Sequence, residues 1–326
     1  MRRREFITFV GGVAATWPLA TRAQPRKMPK VGYLWHAGSA KEEHPYYEAV
    51  VEGFAKLGYV NGRNIVLEHR FPDEKPERFA SMAAELIAMN PDVLMGGSVA
   101  SSYLHAATKT IPIVFMFVPD PVRLNLVKSL AHPGGNATGL SNFGLDIAGK
   151  RVELLKEIVP GLSRLAMLIN SSQQSASMYV DVTRAAATRL GVTVEAFDAR
   201  SREELNGAFK AMVNAGMHAI IPAQGGTAFQ FRFIVPKLAI DHRLPLCVFS
   251  RETFEGGALL SYGPDQVALC VRSAALADKI IKGEKPGDIP VEQPTKFEFL
   301  VNLKTAEAIG LTIPKSFLTR ADEVIE

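Results

Sequence analysis

The chain is poor in the residues that build covalent or metal-centred chemistry. Of its 326 residues only two are cysteine, Cys247 and Cys270, and seven are histidine. No CxxC pair occurs and the histidines are scattered, so the spacing of a metal site is missing. Cys247 falls in the apolar run 244–249 and Cys270 on the apolar face of a helical pattern. That placement predicts two buried free thiols, although an exported protein would tolerate a disulfide. No GxGxxG opens the first strand–helix turn, where the chain reads Trp35-His36-Ala37-Gly38-Ser39. A dinucleotide enzyme is thereby disfavoured, and no cofactor is expected. Basic clusters interleaved with aromatics are missing too, and with them the footprint of nucleic-acid binding.

One long apolar stretch exists, and it lies at the start. Arg2, Arg3 and Arg4 form a basic head, residues 6–20 an apolar stretch, and Thr21-Arg22-Ala23 a small-residue exit. This is the order of a bacterial signal peptide over residues 1–23. Arg3-Arg4-Glu5-Phe6-Ile7 reads as a twin-arginine pattern, with an ordinary secretory signal as the alternative. Gly11, Gly12 and Pro18 interrupt the stretch, which falls short of the roughly 20 residues of a spanning helix. Residues 1–23 hold four arginines and one glutamate, so +3 of the net +4 leaves with the signal. A nearly neutral protein released to the periplasm after Ala23 is expected.

What remains, about 300 residues, is long enough for two domains. Helical periodicity marks 45–57, 76–89, 98–108, 147–159, 175–190, 201–215, 228–241 and 265–282, and a helix over 122–130 is also expected. Short apolar runs lie between them at 31–34, 92–95, 111–117, 165–169, 192–197, 219–221 and 244–249. Such alternation predicts α/β architecture with parallel sheets covered on both faces. Gly58, Gly191, Gly216 and Gly283 each follow a periodic segment, as helix-ending glycines do. The alternation pauses at His132-Pro133-Gly134-Gly135-Asn136 and the polar strand 137–142, then restarts near Asp146. Two doubly wound lobes joined by several crossing segments follow from that pause. Lobe 1 is expected over 28–142 plus 258–284, and lobe 2 with the crossing segments over 143–257 plus 285–326.

In open sheets of this kind ligands sit at the carboxyl ends of the strands. The residues there are Trp35 and Ser39, Ser98 and Val99, Asp120 and Pro121, Asn170, and Gln224 with Gly225. Ser250 and Tyr262 lie near expected crossings. Free N–H groups where Ser98 opens a helix suit a carboxylate. Asp120 is placed to accept from an ammonium or to cap the helix that follows. Trp35, Tyr262 and uncharged polar groups suggest a modest organic ligand with an apolar or aromatic part. Gly96-Gly97-Ser98-Val99-Ala100 stands where a nucleophile elbow would stand, but its last position is not glycine. No histidine after Ser98 ends a strand, which weighs against a serine hydrolase.

Several of these segments resemble the family of ABC-transporter substrate-binding proteins that includes the tryptophan and tyrosine importers' binding components. The carriers are Gly58-Tyr59-Val60-Asn61-Gly62-Arg63-Asn64-Ile65, Thr110-Ile111-Pro112-Ile113-Val114-Phe115, and Asp120-Pro121-Val122. Residues 129–139, Ser261-Tyr262-Gly263-Pro264-Asp265 and residues 302–314 extend the likeness over nearly all of the exported part. The resemblance implies a type I periplasmic-binding-protein fold. It also implies a monomeric, non-enzymatic receptor that closes on a small solute and delivers it to a membrane permease and ATPase. It carries ligand contacts to residues 35–39, Ser98 with Val99, and Asp120 with Pro121. Asn125 stands where the family has glycine; asparagine tolerates a left-handed backbone, so the turn is expected to survive. A periplasmic sensor for a membrane kinase or chemoreceptor is the alternative, and a hydrolase using Ser98 the more distant one.

Overall fold

A computed structural model describes residues 28–173 and 175–326, with Gly226 and Thr227 by backbone alone. The signal-peptide segment 1–23 lies outside the described residues. Five strands build the first sheet: β1 (Lys30–Leu34), β2 (Val66–Arg70), β3 (Val93–Gly97), β4 (Ile113–Val118) and β5 (Ala137–Ser141). Their spatial order is β2-β1-β3-β4-β5 and every pairing is parallel. Helices α1 (Tyr46–Lys56), α2 (Pro76–Ala88) and α3 (Val99–Ala107) connect them. Period-two alternation along β1 decides which helix each side chain meets. Val31, Tyr33 and Trp35 join a core with Val50 and Phe54 of α1, while Leu34 packs with Phe79 and Leu86 of α2. The edge strand β2 escapes an apolar-run criterion because its sequence, VLEHR, is half polar. An edge strand needs fewer apolar residues than a central one.

The second lobe begins with α4 (Ala148–Ile158), β6 (Arg164–Ile169), α5 (Ala176–Arg189), β7 (Thr193–Asp198), α6 (Arg202–Asn214) and β8 (Ala219–Pro222). It continues through α7 (Gly226–Gln230), α8 (Val235–Asp241), β9 (Cys247–Val248), α9 (Arg251–Glu255) and β10 (Leu260–Pro264). Strands β7, β6 and β8 form one parallel sheet. A bridge between Ile220 and Leu246 places it beside the segment leading into β9.

After β10 comes α10 (Gln266–Ile281), which returns to the first lobe, where its Cys270, Ala274 and Ala277 share a core with α1. The chain then forms β11 (Phe297–Asn302), α11 (Leu303–Ile309), α12 (Lys315–Leu318) and β12 (Glu323–Ile325). Strand β11 runs antiparallel to β10, so the second lobe is mixed rather than purely parallel. This is the expected two-lobed α/β architecture.

Four local expectations are corrected. Residues 122–130 are turns, not a helix; Asp120 Oδ1 accepts from Val122 N and Arg123 N, and Asn125 takes φ +57°. The left-handed turn survives at Asn125, but it ends any helix there. The pattern 228–241 splits into α7 and α8, with Pro236 in the first turn of α8, where a missing N–H does no harm. Strand β10 bonds to β9 and β11, so of 258–284 only α10 packs on the first sheet. In the opposite sense, Glu292 bridges Leu140 and Thr138 donates to the Ile289 carbonyl, which puts 286–292 against lobe 1 rather than lobe 2. The chain thus crosses between lobes after Asn142, at Pro264–Asp265, and between Glu292 and Phe297. Cys247 and Cys270 are buried and free, each in a different lobe core, as expected.

Candidate functional site

Between the lobes lies a pocket that opens to solvent. Strand ends supply its walls. From lobe 1 come His36 after β1, Ser98 after β3, Phe117 and Pro119 at the end of β4, Tyr46 of α1 and Gln266 of α10. Lobe 2 contributes Tyr179 of α5, Gln224 and Gly225 after β8, Phe229 of α7, and Phe249 with Ser250 after β9. Asn142 and Ser175 complete the lining.

Backbone conformation aims several of these groups. Ser98 takes φ +51° and its side chain does not cap α3, which leaves first-turn N–H groups of that helix without an intrahelical acceptor. Phe117 takes φ +56° inside β4, where the pairing with β5 shifts register. Left-handed non-glycine residues cost roughly 1–2 kcal/mol each and gather at sites that need an unusual side-chain direction.

Polar groups across the cavity are tied in two small networks. Asn142 Nδ2 donates to Gln224 Oε1 at 2.8 Å, and the Tyr179 hydroxyl donates to the same oxygen at 2.9 Å. Burial pushes the Tyr179 hydroxyl well above its ordinary value, so it remains a donor. On the other side, the Tyr46 hydroxyl of lobe 1 lies 2.8 Å from Glu252 Oε2 of lobe 2 and 3.2 Å from Gln266 Oε1. Burial raises the Glu252 carboxyl as well. Burial alone would lower the pKa of His36, but the carboxylates of Glu43 and Glu74 carry it up to about 9. His36 is therefore a cation at neutral pH, held 3.0 Å from Glu74 and 3.5 Å from Glu43.

The lobes touch across the cavity mouth. Arg232 of lobe 2 donates to the Glu42 carbonyl of lobe 1 at 2.9 Å, with its guanidinium 3.8 Å over the Phe229 ring. Phe229 in turn meets Tyr46 at 5.2 Å and the edge of His36 at 5.0 Å. These contacts describe a closed pair of lobes. Beyond Phe249 a second, mostly apolar cavity opens in lobe 2, lined among others by Leu168, Leu205, Pro222, Phe231 and Val235.

Of the residues singled out in the sequence, Ser98, Gln224, Gly225 and Ser250 line the interlobe cavity. Asn170 lines the second cavity instead. Trp35 belongs to the core: its amide extends the β1 ladder to Arg70, its ring stacks on Tyr33 at 3.7 Å, and its Nε1 donates to His69. The next residue, His36, turns toward the cleft in its place. Ser39 closes a turn by accepting from Glu42 and Glu43 amides, and Val99 packs on the lobe 1 core. Asp120 caps its turn and Pro121 is buried; neither lines the cavity. Tyr262 packs between Phe297 and Phe299. His36 lies within the strand-end segment 35–39 to which the resemblance carries ligand contacts, whereas Tyr46, Phe117, Asn142, Tyr179, Phe229, Phe249 and Gln266 escape the sequence reading. The helix residues among these had no direct signal.

Ser98 makes no hydrogen bond to a histidine. His36 is engaged by its two carboxylates, His218 accepts from Ser163 N, and His242 stacks on Phe209. Among the described residues no group of three side chains is placed to hold a metal, and no helix is long and apolar enough to cross a membrane.

Comparison with known proteins agrees with this geometry. A tyrosine-binding protein of Clostridioides difficile is 28% identical over 274 residues, covering 82% of this chain and 79% of its own length. The structure of an ABC domain in complex with L-Trp from Streptococcus pneumonia superposes with TM-score 0.83 at 29% identity, covering 91% of this chain and 99% of that one. A conserved domain protein from Vibrio cholerae gives TM-score 0.85 at 27% identity, covering 91% and 100%. The fold is that of the type I periplasmic binding proteins. A family model of ABC transporter substrate binding proteins matches residues 41–325. The chain belongs to that family, and it is a solute receptor of the ABC transporter system.

Proposed function

We propose that this receptor captures a small aromatic or amino-acid-like carboxylate between its lobes and hands it to a membrane permease and ATPase. One observation carries the reading: each lobe supplies both polar groups and aromatic faces to one cavity. Ser98, Gln224, Gly225 and Ser250 are the proposed contacts from the strand ends, with Tyr46, Phe117, Phe229 and Phe249 as apolar walls. A ligand touching both lobes gains its full contacts only when they close, so it biases an open–closed equilibrium. The tyrosine-binding relative and the L-Trp complex support an aromatic ligand. We further propose export to the periplasm through the signal-like residues 1–23, release near Ala23, and action as a monomer without enzymatic turnover.

A thermal-shift panel of aromatic acids, amino acids, sugars and divalent metals tests the ligand class. A ligand present at about a hundred times its dissociation constant adds roughly 2.7 kcal/mol of stability. Aromatic or amino-acid carboxylates are expected to raise the melting temperature. If only sugars or only metals do so, the proposal is wrong.

A further inference from the structure

We infer that the cleft selects an aryl-alkanoate, a carboxylate without an α-amino group, over the zwitterionic amino acid of the same side chain. The inference rests on the reading above, that the ligand is a carboxylate held between the lobes. It narrows that class through the orientation of the buried Gln224 and the charges of the cavity lining.

Gln224 is fixed by its neighbours. Gly144 N donates to Asn142 Oδ1 at 3.1 Å, which turns Asn142 Nδ2 toward Gln224. With Asn142 and Tyr179 both donating to Gln224 Oε1, the two lone pairs of that oxygen are taken. Its Nε2 then has no partner, although the side chain is only 4% exposed and lines the cavity. This donor from lobe 2 and the uncapped start of α3 from lobe 1 share one lining and ask for an acceptor. Each buried donor left unmade costs about 1–3 kcal/mol, and a carboxylate satisfies several at once.

An ammonium finds no counterpart. Among the described residues no aspartate or glutamate lines the cavity. Glu43 accepts from the His36 and Ala37 amides, Glu74 pairs with His36, and Glu252 meets Tyr46. Asp120 is engaged by its own turn. Only neutral hydroxyls such as those of Ser98, Ser175 and Ser250 remain, and a buried cation without a carboxylate partner is strongly disfavoured.

Titration calorimetry on the purified chain tests this with matched pairs: 3-phenylpropanoate against L-phenylalanine, and indole-3-propanoate against L-tryptophan. The acid without the amino group is expected to bind at least about tenfold more tightly in each pair, since sites with unmatched polar groups discriminate strongly. Gln224→Glu keeps the shape and the Asn142 and Tyr179 contacts but replaces a donor with an acceptor. It should weaken 3-phenylpropanoate by about tenfold or more and move the ratio toward L-phenylalanine. Amino acids binding as tightly as their partners, or a ratio unmoved by Gln224→Glu, overturns the inference and leaves the carboxylate reading standing. If neither member of either pair binds while sugars do, both fall.

Discussion

Trp35 shows how one residue's chemistry is set by its neighbours. Its indole N–H donates to His69 Nδ1 at 3.0 Å, a bond that needs this nitrogen unprotonated. Burial, and then the charge of Arg70, lowers the His69 pKa to about 4. The folded value is depressed below the ordinary 6.5. The stabilisation is therefore complete above about 6.5 and is lost as pH falls through about 4. Trp35 and Trp17 are the only two tryptophans, and Trp17 lies within the proposed signal segment, so a chain starting after Ala23 reports on Trp35 alone. Its emission is expected to titrate with a midpoint near 4, and His69→Phe should abolish the transition. A midpoint near 6.5 would mean that His69 is solvated and the contact absent.

At the scale of elements, close backbone approach separates two kinds of glycine. Gly263 in β10 lies against the Phe249 carbonyl, so an added Cβ would overlap the backbone of the segment that walls the cavity. Gly58 ends α1 at φ +83° with open space around it. Gly263→Ala is expected to cost about 1–3 kcal/mol by overpacking. Gly58→Ala should lose about 1 kcal/mol, from backbone conformation alone. Urea unfolding of the two variants distinguishes them, and the reverse order would contradict the packing of β10 against Phe249. The crossing elements are held in a related way. Arg151 of α4 donates to the Gly144 carbonyl at 3.0 Å and to the Tyr262 carbonyl at 3.4 Å, joining the first crossing to the strand that leads into the second.

For the whole molecule, closure depends on a few contacts at the mouth. Arg232 reaches the Glu42 carbonyl and Tyr46 meets Glu252, each joining one lobe to the other. Arg232→Met keeps apolar contact with Phe229 but removes the hydrogen bond. A net loss of about 1–2 kcal/mol from the closed state corresponds to roughly 5–30-fold weaker ligand binding. Small-angle scattering of the unliganded variant is expected to show a larger radius of gyration than the parent. Unchanged scattering would mean that the contact contributes nothing to closure.

Much of this protein was determined by its sequence alone. Period-two and period-3.6 patterning placed most strands and helices, because each apolar face must be buried against another element. Gly58, Gly191, Gly216 and Gly283 marked helix ends and indeed take positive φ. The strand-end rule reached Ser98, Gln224, Gly225 and Ser250, since loop position follows from element order. Tertiary structure decided the rest. Whether Trp35 or His36 faces the cleft depends on where the β1 ladder stops, one residue beyond the apolar run. Tyr46, Tyr179 and Gln266 sit on helices whose orientation is fixed only when they pack on their sheets. The cavity joins residues as far apart as His36 and Gln266 because α10 returns to the first lobe, a crossing that local sequence suggests but only packing locates.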